Sequence, residues 1–487
     1  MDALGSAYAF VVTALCVHGA HRFVHAWRFA RERSRPPVVA PWEGPLPFVT
    51  VQLPVFNERD VVARLVDAVA ALDWPRQRLQ VQLLDDSTDD TGASASPAVA
   101  RARAAGIEVE VLQRRDRVGF KAGALAAGLR TARGEFVAIF DADFVPDADF
   151  LRRTILPFAH PAVGMVQARW GHLNPAESAI TRAQSIMLDA HFRVEHLSRN
   201  RSGAWFNFNG TAGVWRRSAI DAAGGWQGDT LTEDLDLSYR AQVGGWKFVY
   251  LDDVVVAAEV PATLAAFRSQ QARWAKGSLE TARKLSATVF RSGAPAFVRV
   301  EALQHLHANL AWPLALAVAL LMPAVAIASP NDGWARHLFL DLPAFLFATV
   351  SHTLFFALPA FSPARARPFA WRDLPLVLAL GTGMALAQSV AVLEALRGRR
   401  TAFVRTPKRG LGAGSYRVAE AATGVPELVL AVWHMVGIVG AISLARWGSI
   451  PFLALFAAGF GWVGWMAARE RWAPAATTTS VEAVMAK

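Results

Sequence analysis

The stretch EFVAIFDADF, residues 135–144, runs from apolar side chains directly into two carboxylates, Asp141 and Asp143, one residue apart. The apolar run predicts a buried strand that ends just before them. Two like charges this close repel each other, so either water separates them in a turn or a cation lies between them. An isolated Asp-x-Asp pattern favours the turn, whereas a position after a buried strand favours the cation.

The surrounding sequence alternates strand patterns with helix patterns. Strands are predicted at 47–57, 79–87, 107–114 and 135–143, and helices at 58–72 and 120–132. This alternation predicts a doubly wound, mostly parallel α/β sheet, in which ligands bind beyond the carboxyl ends of the strands. Polar side chains follow three of these strands and form one candidate site: Asn57, Glu58, Asp85, Asp86, Asp141 and Asp143.

The sequence has neither G-x-G-x-x-G after the first strand nor G-x-x-x-x-G-K-[ST], so dinucleotide binding and P-loop binding lose their main support. A nucleotide site built from carboxylates remains. Asp85 or Asp86 can accept hydrogen bonds from a base or a ribose. Asp141 and Asp143 can hold Mg2+ or Mn2+, because these hard cations prefer oxygen ligands and bridge phosphates.

Hydrophobic residues make up 53% of the 487-residue chain and are unevenly distributed. Several apolar runs reach the roughly 20 residues that a bilayer-spanning helix needs. The runs occupy 3–17, 308–328, 338–361, 374–396, 428–444 and 451–467. We therefore predict an N-terminal transmembrane anchor (1–27), a water-soluble domain (45–292), a transmembrane and interfacial helical region (303–470) and a disordered tail (471–487).

Basic residues determine the predicted orientation. Met1–Ser6 has no Lys or Arg, which argues against a signal peptide, whereas five arginines follow between residues 22 and 35. The positive-inside rule then places the N-terminus outside and the soluble domain in the cytoplasm. The net charge of +10 requires no nucleic acid, because the basic residues cluster where they face anionic lipid. The single cysteine, Cys16, excludes an intrachain disulfide.

The number of membrane crossings follows from the basic segment RGRRTAFVRTPKRG, residues 397–410. If all six apolar runs crossed, this segment would lie outside, against the positive-inside rule. The run 374–396 contains Gly381, Gln388 and Glu394, so we predict that it lies in the membrane interface. Five crossings result, one before the soluble domain and four after it, with 397–410 in the cytoplasm.

Three further segments carry a family resemblance: NFNGTAGVWRRSAI (207–220), GGWQGDTLTEDLDLSYRAQVGGWKFVYL (224–251) and FRSQQARWAKGS (267–278). Together with the Asp-x-Asp pair they resemble the family 2 glycosyltransferases, specifically the membrane-embedded processive β-glycan synthases. The nearest resemblance is to the cellulose-synthase-like glucan and mannan synthases, over roughly residues 45–290. It implies a nucleotide-sugar-binding domain of the GT-A type joined to transmembrane helices.

The resemblance also implies a role for each matched residue. Asp86, with Asp85 beside it, matches the aspartate that contacts the base, and Asp141 and Asp143 match the pair that contacts the diphosphate and its metal. Thr232-Glu233-Asp234 matches the motif that supplies the general base, Asp234. The remaining matches are the Q-x-x-R-W type motif of Gln270, Gln271, Arg273 and Trp274, and the acceptor segment of Asn209 and Gly210.

A further match lies at 403–408, where Phe403, Thr406 and Lys408 resemble the gating loop of cellulose synthase. Arg405 replaces a valine of that pattern and Pro407 is additional. Lys408 would close over the diphosphate and exclude water. The alternative is an ordinary basic loop at the membrane surface.

Sugar transfer supplies a chemical reason for these residues. A leaving diphosphate gains charge, so a metal together with Lys121 and Arg273 would stabilise it. The attacking hydroxyl must lose a proton, which requires a carboxylate such as Asp234, with Glu233 and Asp236 as acidic neighbours that raise its proton affinity. The indole of Trp274 suits the flat face of a pyranose.

Simpler interpretations remain for several of these residues. Thr232-Glu233-Asp234 is also a helix-start signal, Trp274 could be an interface tryptophan, and Asn209-Gly210 could be a turn. We interpret His172, His191 and His196 as structural.

The sequence thus predicts a processive, inverting glycosyltransferase of the cell (inner or plasma) membrane. It would use UDP-glucose or GDP-mannose with Mg2+ or Mn2+ and extend a β-linked, β-1,4 polysaccharide for export. Its predicted partners are the nucleotide sugar, the growing polysaccharide and the lipid bilayer. The alternatives are a non-processive transferase with a lipid acceptor, a transporter with a cytoplasmic regulatory domain, and a sugar-binding scaffold without turnover.

Overall fold

The computed structural model describes residues 3–33, 41–328, 340–361, 371–399 and 422–472. Lys408, most of the predicted gating-type loop and residues 473–487 of the predicted tail lie outside these ranges. The predictions made for them therefore stay predictions.

A seven-stranded sheet forms the centre of the soluble domain, with the strand order β3-β2-β1-β4-β6-β5-β7. The strands are β1 Val49–Val55, β2 Leu79–Asp85, β3 Glu108–Gln113, β4 Phe136–Ile139, β5 Val163–His172, β6 Gly213–Arg216 and β7 Lys247–Ala258. Only β6 runs antiparallel to its neighbours, β4 and β5, whereas the other four pairings are parallel. The predicted mostly parallel sheet is confirmed.

Helices cover both faces of this sheet, which is why β2 and β4 are buried along their whole length. Helix α1, Ala3–Glu32, precedes the sheet. The helices that follow within the predicted soluble domain are α2 Val62–Ala70, α3 Thr91–Ala104, α4 Phe120–Leu129, α5 Phe150–Thr154, α6 Ala179–Ala190, α7 Leu197–Ser202, α8 Arg217–Ala222, α9 Glu233–Val243 and α10 Leu264–Arg291. Helix α2 buries Val62, Leu65, Val66 and Val69, the spacing from which it was predicted, against one face. Helix α4 packs on the other face, and a π-helical segment, His191–His196, joins α6 to α7.

The C-terminal part is helical. Its long helices are α11 Ala296–His307, α12 Ala311–Ala328, α13 Leu342–Phe361, α14 Asp373–Leu396, α15 Val425–Ser443 and α16 Ile450–Trp472. Six helices of the described chain are long and apolar enough to cross a membrane, namely α1, the continuous pair α11–α12, and α13 to α16. Our prediction of five crossings assigns α14 to the interface, and α14 contacts both α6 and α10 of the soluble domain as well as α12 and α16. The count of five stays a prediction.

Three carboxylates from three C-terminal helices hold α10 in place, and we call them the α10 clamp. Glu470 of α16 accepts hydrogen bonds from the first two amides of α10, at 2.6 and 2.9 Å. Glu427 of α15 pairs with Arg268 at 2.8 Å, and Glu394 of α14 pairs with Lys276 at 3.4 Å. Because orphan amides at a helix start attract carboxylates, Glu470 anchors the start of α10, and the clamp as a whole joins the first half of α10 to three C-terminal helices.

Candidate active site

A single cleft beyond the carboxyl ends of β1 and β4 collects most of the predicted site residues. The predicted residues that line it are Glu58, Asp86, Lys121, Asp141, Asp143, Asn209, Gly210, Glu233, Asp234, Gln270, Arg273 and Trp274. They come from loops and helices scattered over more than 200 residues of sequence. The sheet edge brings them together, as expected for a doubly wound fold.

Asp141 and Asp143 follow β4 after Phe140. The amide of Asp141 donates to Thr211 Oγ1 at 2.8 Å, and Asp143 is only 3% exposed. Lys121 Nζ donates to Asp141 Oδ1 at 2.5 Å and to the carbonyl of Gly210 at 2.8 Å. Burial opposes the charge of this lysine, but the carboxylates of Asp141 and Glu233 outweigh it and raise the pKa of Lys121. The ammonium group therefore stays charged beside the carboxylate pair.

The Thr232–Asp234 segment faces the same cleft from the start of α9. Asp234 Oδ1 accepts the amide of Leu235 at 2.8 Å, and Gly210 approaches the carboxylate so closely that a Cβ there would lie 3.1 Å from Oδ2. Gly210 also has φ +82°, so a side chain would be strained as well as crowded. The helix-start interpretation is also correct, since α9 begins at Glu233.

Burial and the neighbouring Glu233 carboxylate raise the pKa of Asp234 to about 7. Burial likewise raises the pKa of Glu233, although Lys121 opposes this. A carboxylate with a pKa near neutrality can accept a proton from a hydroxyl and release it again at physiological pH. The arrangement fits a general base.

Helix α10 carries Gln270, Arg273 and Trp274 into the cleft and also supports α9. A Cβ on Gly277 would lie 2.6 Å from Thr232 Cγ2, so the two backbones approach closely, and Glu280 accepts the amide of Leu231 at 2.9 Å. Burial lowers the pKa of Arg273, although the carboxylates of Glu233 and Asp141 act against this. The position of α10 therefore determines that of the Thr232–Asp234 segment.

The structure adds cleft residues that the sequence did not reveal. The guanidinium carbon of Arg117 lies 3.2 Å from the ring centroid of Phe56, and both residues line the cleft. Asp86 lines the same cleft and pairs with Arg114. Such a stacked plane beside a carboxylate can hold a flat base. At the opposite end Trp170, at the end of β5, lies 6.4 Å from Trp274, ring to ring. The other newly found lining residues include His172 and Glu259. Alternation in β5 could have indicated Trp170, but no local pattern indicates the others.

Three predicted residues do not line the cleft. Asp85 is adjacent to Asp86 but faces the other way, accepting from Ser87 and Gln113, because side chains alternate along a strand. Asn57 instead binds the Ser87–Thr88 turn, with its backbone in the left-handed region at φ +57°. Gln271 lies one residue around α10 from Gln270.

The donor set at Asp141 and Asp143 suits a hard divalent cation, because two carboxylates enter one cleft lined also by the carboxyl of Glu58. A second group of possible ligands is His21, His25 and Glu301, near the C-terminal end of α1. Arg28 and Arg199 lie 2.9 and 3.6 Å from that carboxylate. Two guanidinium charges at the only carboxylate of the group make it unsuited to a cation, so it joins α1 to α7 and α11 instead.

Comparison with known proteins agrees with this cleft. Residues 46–277 match the family model "Glycosyltransferase like family 2". The chain therefore contains a family 2 glycosyltransferase domain, and this part of the resemblance is confirmed.

Two curated proteins illustrate what the chain is similar to. Glucomannan 4-beta-mannosyltransferase 2 of Arabidopsis thaliana is 46% identical over 251 residues, which are 50% of this chain and 47% of the relative. Glucomannan 4-beta-mannosyltransferase 1 of Oryza sativa subsp. japonica is 47% identical over 251 residues, 50% of this chain and 48% of the relative. The chain thus spans about half the length of the curated relatives it matches.

Among solved structures, the mannosyltransferase PcManGT from Pyrobaculum calidifontis, in complex with GDP-Man and Mn2+, superposes with a TM-score of 0.57 at 22% identity. The match covers 81% of this chain and 100% of the other. At this identity the similarity shows the fold, and the predicted GT-A-like sheet joined to long apolar helices is confirmed.

The charge coupling between Glu233 and Asp234 predicts a specific pH dependence. A general base works only when deprotonated, so transfer should rise as the pH increases through about 7, the pKa of Asp234. Glu233→Gln removes the neighbouring negative charge and lowers the pKa of Asp234, so the acid limb of the pH–kcat/KM profile should move to lower pH. An acid limb that stays in place or moves upward would contradict the coupling.

Proposed function

We propose that this protein is a processive, inverting glycosyltransferase that extends a β-1,4-linked polysaccharide from a nucleotide-diphosphate sugar. One observation supports this above the others: the Asp141–Asp143 pair and Asp234 enter one cleft, which Arg273 and Trp274 of α10 also line. A leaving-group site and a base site therefore face the same space. A binding scaffold would need neither a near-neutral carboxylate nor a lysine held against the Asp-x-Asp pair.

The donor half of the reaction belongs to the side of the cleft that holds Asp86, Lys121 and Asp141. Phe56 and Arg117 would take the flat base and Asp86 its polar edge, while Lys121 and Arg273 would lie against the diphosphate. Asp141 and Asp143 would hold Mg2+ or Mn2+, which would neutralise charge on the departing diphosphate. Lys121 would balance the same charge from its bond to Asp141.

The acceptor half belongs to Asp234 and Trp274. Asp234 would take the proton of the attacking hydroxyl while the indole of Trp274 holds the pyranose face. Attack from the side opposite the leaving diphosphate inverts the anomeric carbon, so a donor with an α-linkage gives a β-linked product. Trp170 beside Trp274 extends the aromatic wall over which a chain could slide.

The identity of the sugar is inferred from the relatives. UDP-glucose and GDP-mannose were both open from the sequence, and the relatives named glucomannan 4-beta-mannosyltransferases favour mannosyl transfer. We therefore propose GDP-mannose as the preferred donor and a β-1,4-mannan or glucomannan as the product. The soluble domain would lie in the cytoplasm below the plasma or inner membrane, with α14 in the interface and the chain leaving between the remaining helices.

The deciding experiment offers radiolabelled GDP-mannose and UDP-glucose separately to the purified full-length protein with Mg2+ or Mn2+. We expect a long, alkali-stable polymer from GDP-mannose that β-1,4-mannanase digests. A short, chloroform-soluble product would indicate the lipid-acceptor alternative instead. Absence of any incorporation with either donor and either cation would overturn the proposal.

A further inference from the structure

The side chain of Asn209 is held by two histidines of the π-helical segment. Asn209 Nδ2 lies 3.0 Å from His191 Nε2, and Asn209 Oδ1 lies 2.6 Å from His196 Nε2. Its backbone amide donates to Gln167 Oε1 at 3.0 Å. Segments of this helix type occur mostly as single-turn insertions within α-helices and are frequent at functional sites.

The partners of each histidine determine which ring nitrogen carries the proton. His191 Nδ1 faces the Glu195 carboxylate at 3.3 Å, and His196 Nε2 also faces the carbonyl of Asn207 at 3.2 Å. Carboxylates and carbonyls only accept, so both of these nitrogens carry hydrogen. His191 Nε2 is then left to accept from Asn209 Nδ2, and His196 Nε2 donates to Asn209 Oδ1. These hydrogen bonds fit the amide with Nδ2 toward His191 and Oδ1 toward His196.

The charges of the network agree with this assignment. Burial disfavours ionisation of Glu195, but Arg199 and His191 outweigh it and hold the pKa of Glu195 well below its usual value. Burial holds the pKa of His196 well below its usual range. Glu195 is therefore an acceptor and His196 a neutral ring at physiological pH.

Once so held, the Asn209 amide retains one N–H and one lone pair. The residue lines the cleft, and the next residue, Gly210, is the one whose backbone approaches the Asp234 carboxylate. Asn209 and the Asp234 carboxylate therefore face one cleft, with Gly210 next to both. Neighbouring hydroxyls of a pyranose match a fixed donor and acceptor pair.

We propose that His191 and His196 are positioning residues that lock the Asn209 amide so that it binds two adjacent hydroxyls on the terminal sugar of the acceptor. This inference rests on the proposed function and adds how the acceptor end is oriented. The two histidines act through Asn209 and do not touch the sugar. This role goes beyond our sequence-based interpretation of both histidines as structural.

The test compares variants that keep or remove each hydrogen bond. His196→Gln keeps an N–H donor near Asn209 Oδ1. His196→Phe keeps the aromatic packing but removes that donor. His191→Phe likewise keeps the packing and removes the nitrogen that accepts from Asn209 Nδ2. We expect each Phe variant to raise the KM for an added manno-oligosaccharide by about 10-fold, the effect of one misplaced hydrogen-bonding group. His196→Gln should restore most of the loss, and the affinity for GDP should stay at the wild-type value.

A double-mutant cycle separates positioning from folding. If His196 acts through Asn209, then His196→Phe should add nothing to the acceptor KM of Asn209→Ala. If His196→Phe still raised the acceptor KM by its full factor in the Asn209→Ala protein, or lowered the GDP affinity by the same factor as the acceptor affinity, the proposal would be overturned. If His196→Phe fails to fold by thermal unfolding, His191→Phe with Asn209→Ala completes the same cycle. The control is His160→Gln, because His160 is exposed and does not line the cleft.

Failure of this inference and failure of the proposed function give different results. A wild-type protein that neither hydrolyses the donor nor extends the oligosaccharide would refute the function itself. A wild-type protein that does both, with Phe variants that match it, would refute only the roles of the two histidines.

Discussion

Asp234→Asn is expected to reduce sugar transfer by about 10^2- to 10^4-fold, the contribution typical of a general base. Asparagine has the same shape and can still accept the Leu235 amide at Oδ1, so the start of α9 should not move. It cannot accept the hydroxyl proton. Transfer is measured as incorporation of labelled sugar at saturating donor, and donor binding by calorimetry.

The matched control for this variant is Asp221→Asn, which neutralises an exposed carboxylate at the end of α8. GDP affinity should be unchanged in both proteins, because we assign Asp234 to the acceptor hydroxyl and not to the nucleotide. If Asp234→Asn kept more than about a tenth of the wild-type rate, another group would have to be the base.

Asp143→Asn should abolish the dependence of donor binding on a divalent cation. Asp143 is 3% exposed and lies two residues from Asp141, which accepts a hydrogen bond from Lys121. Loss of one anionic ligand should weaken nucleotide-diphosphate binding in Mn2+ or Mg2+ by about 100-fold, toward the value seen in EDTA. Titration of GDP into the protein with and without the cation measures this directly, and no turnover is needed.

Asp147→Asn is the control, since Asp147 lies in the same loop but is exposed. Its binding curve should follow that of the wild type in the presence of cation. A wild-type protein whose GDP affinity is the same in EDTA and in Mn2+ would remove the metal from the mechanism, and Lys121 and Arg273 would then neutralise the diphosphate alone.

The central strands were predictable because each is a short apolar run that ends in polar residues. The place of β6 was not, because four residues, Gly213–Arg216, carry too little pattern to reveal an antiparallel insertion between β4 and β5. Alternation shows that Asp85 and Asp86 face opposite sides. It does not show which side is the cleft, since that depends on how β2 packs.

The long-range part of the site left no local signal. The carboxylate of Glu470 and the amide of Leu264 are separated by 206 positions, and nothing near either residue indicates the other. The same holds for Phe56 and Arg117, which become neighbours only when the loops after β1 and β3 meet. The family resemblance indicated Asp234 and Trp274 because each lies in a short motif of neighbouring residues that can be read from the sequence.

The α10 clamp has a consequence for dissecting the protein. A shortened chain that stopped after Arg291 would keep every described residue of the cleft, yet it would lose Glu394, Glu427 and Glu470 together. Lys276, only 3% exposed in the full chain, would lose its partner Glu394 and the helix α14 that covers it. The glycosyltransferase domain and the C-terminal helices are consequently one mechanical unit, and separating them would loosen α10, the helix that carries Arg273 and Trp274.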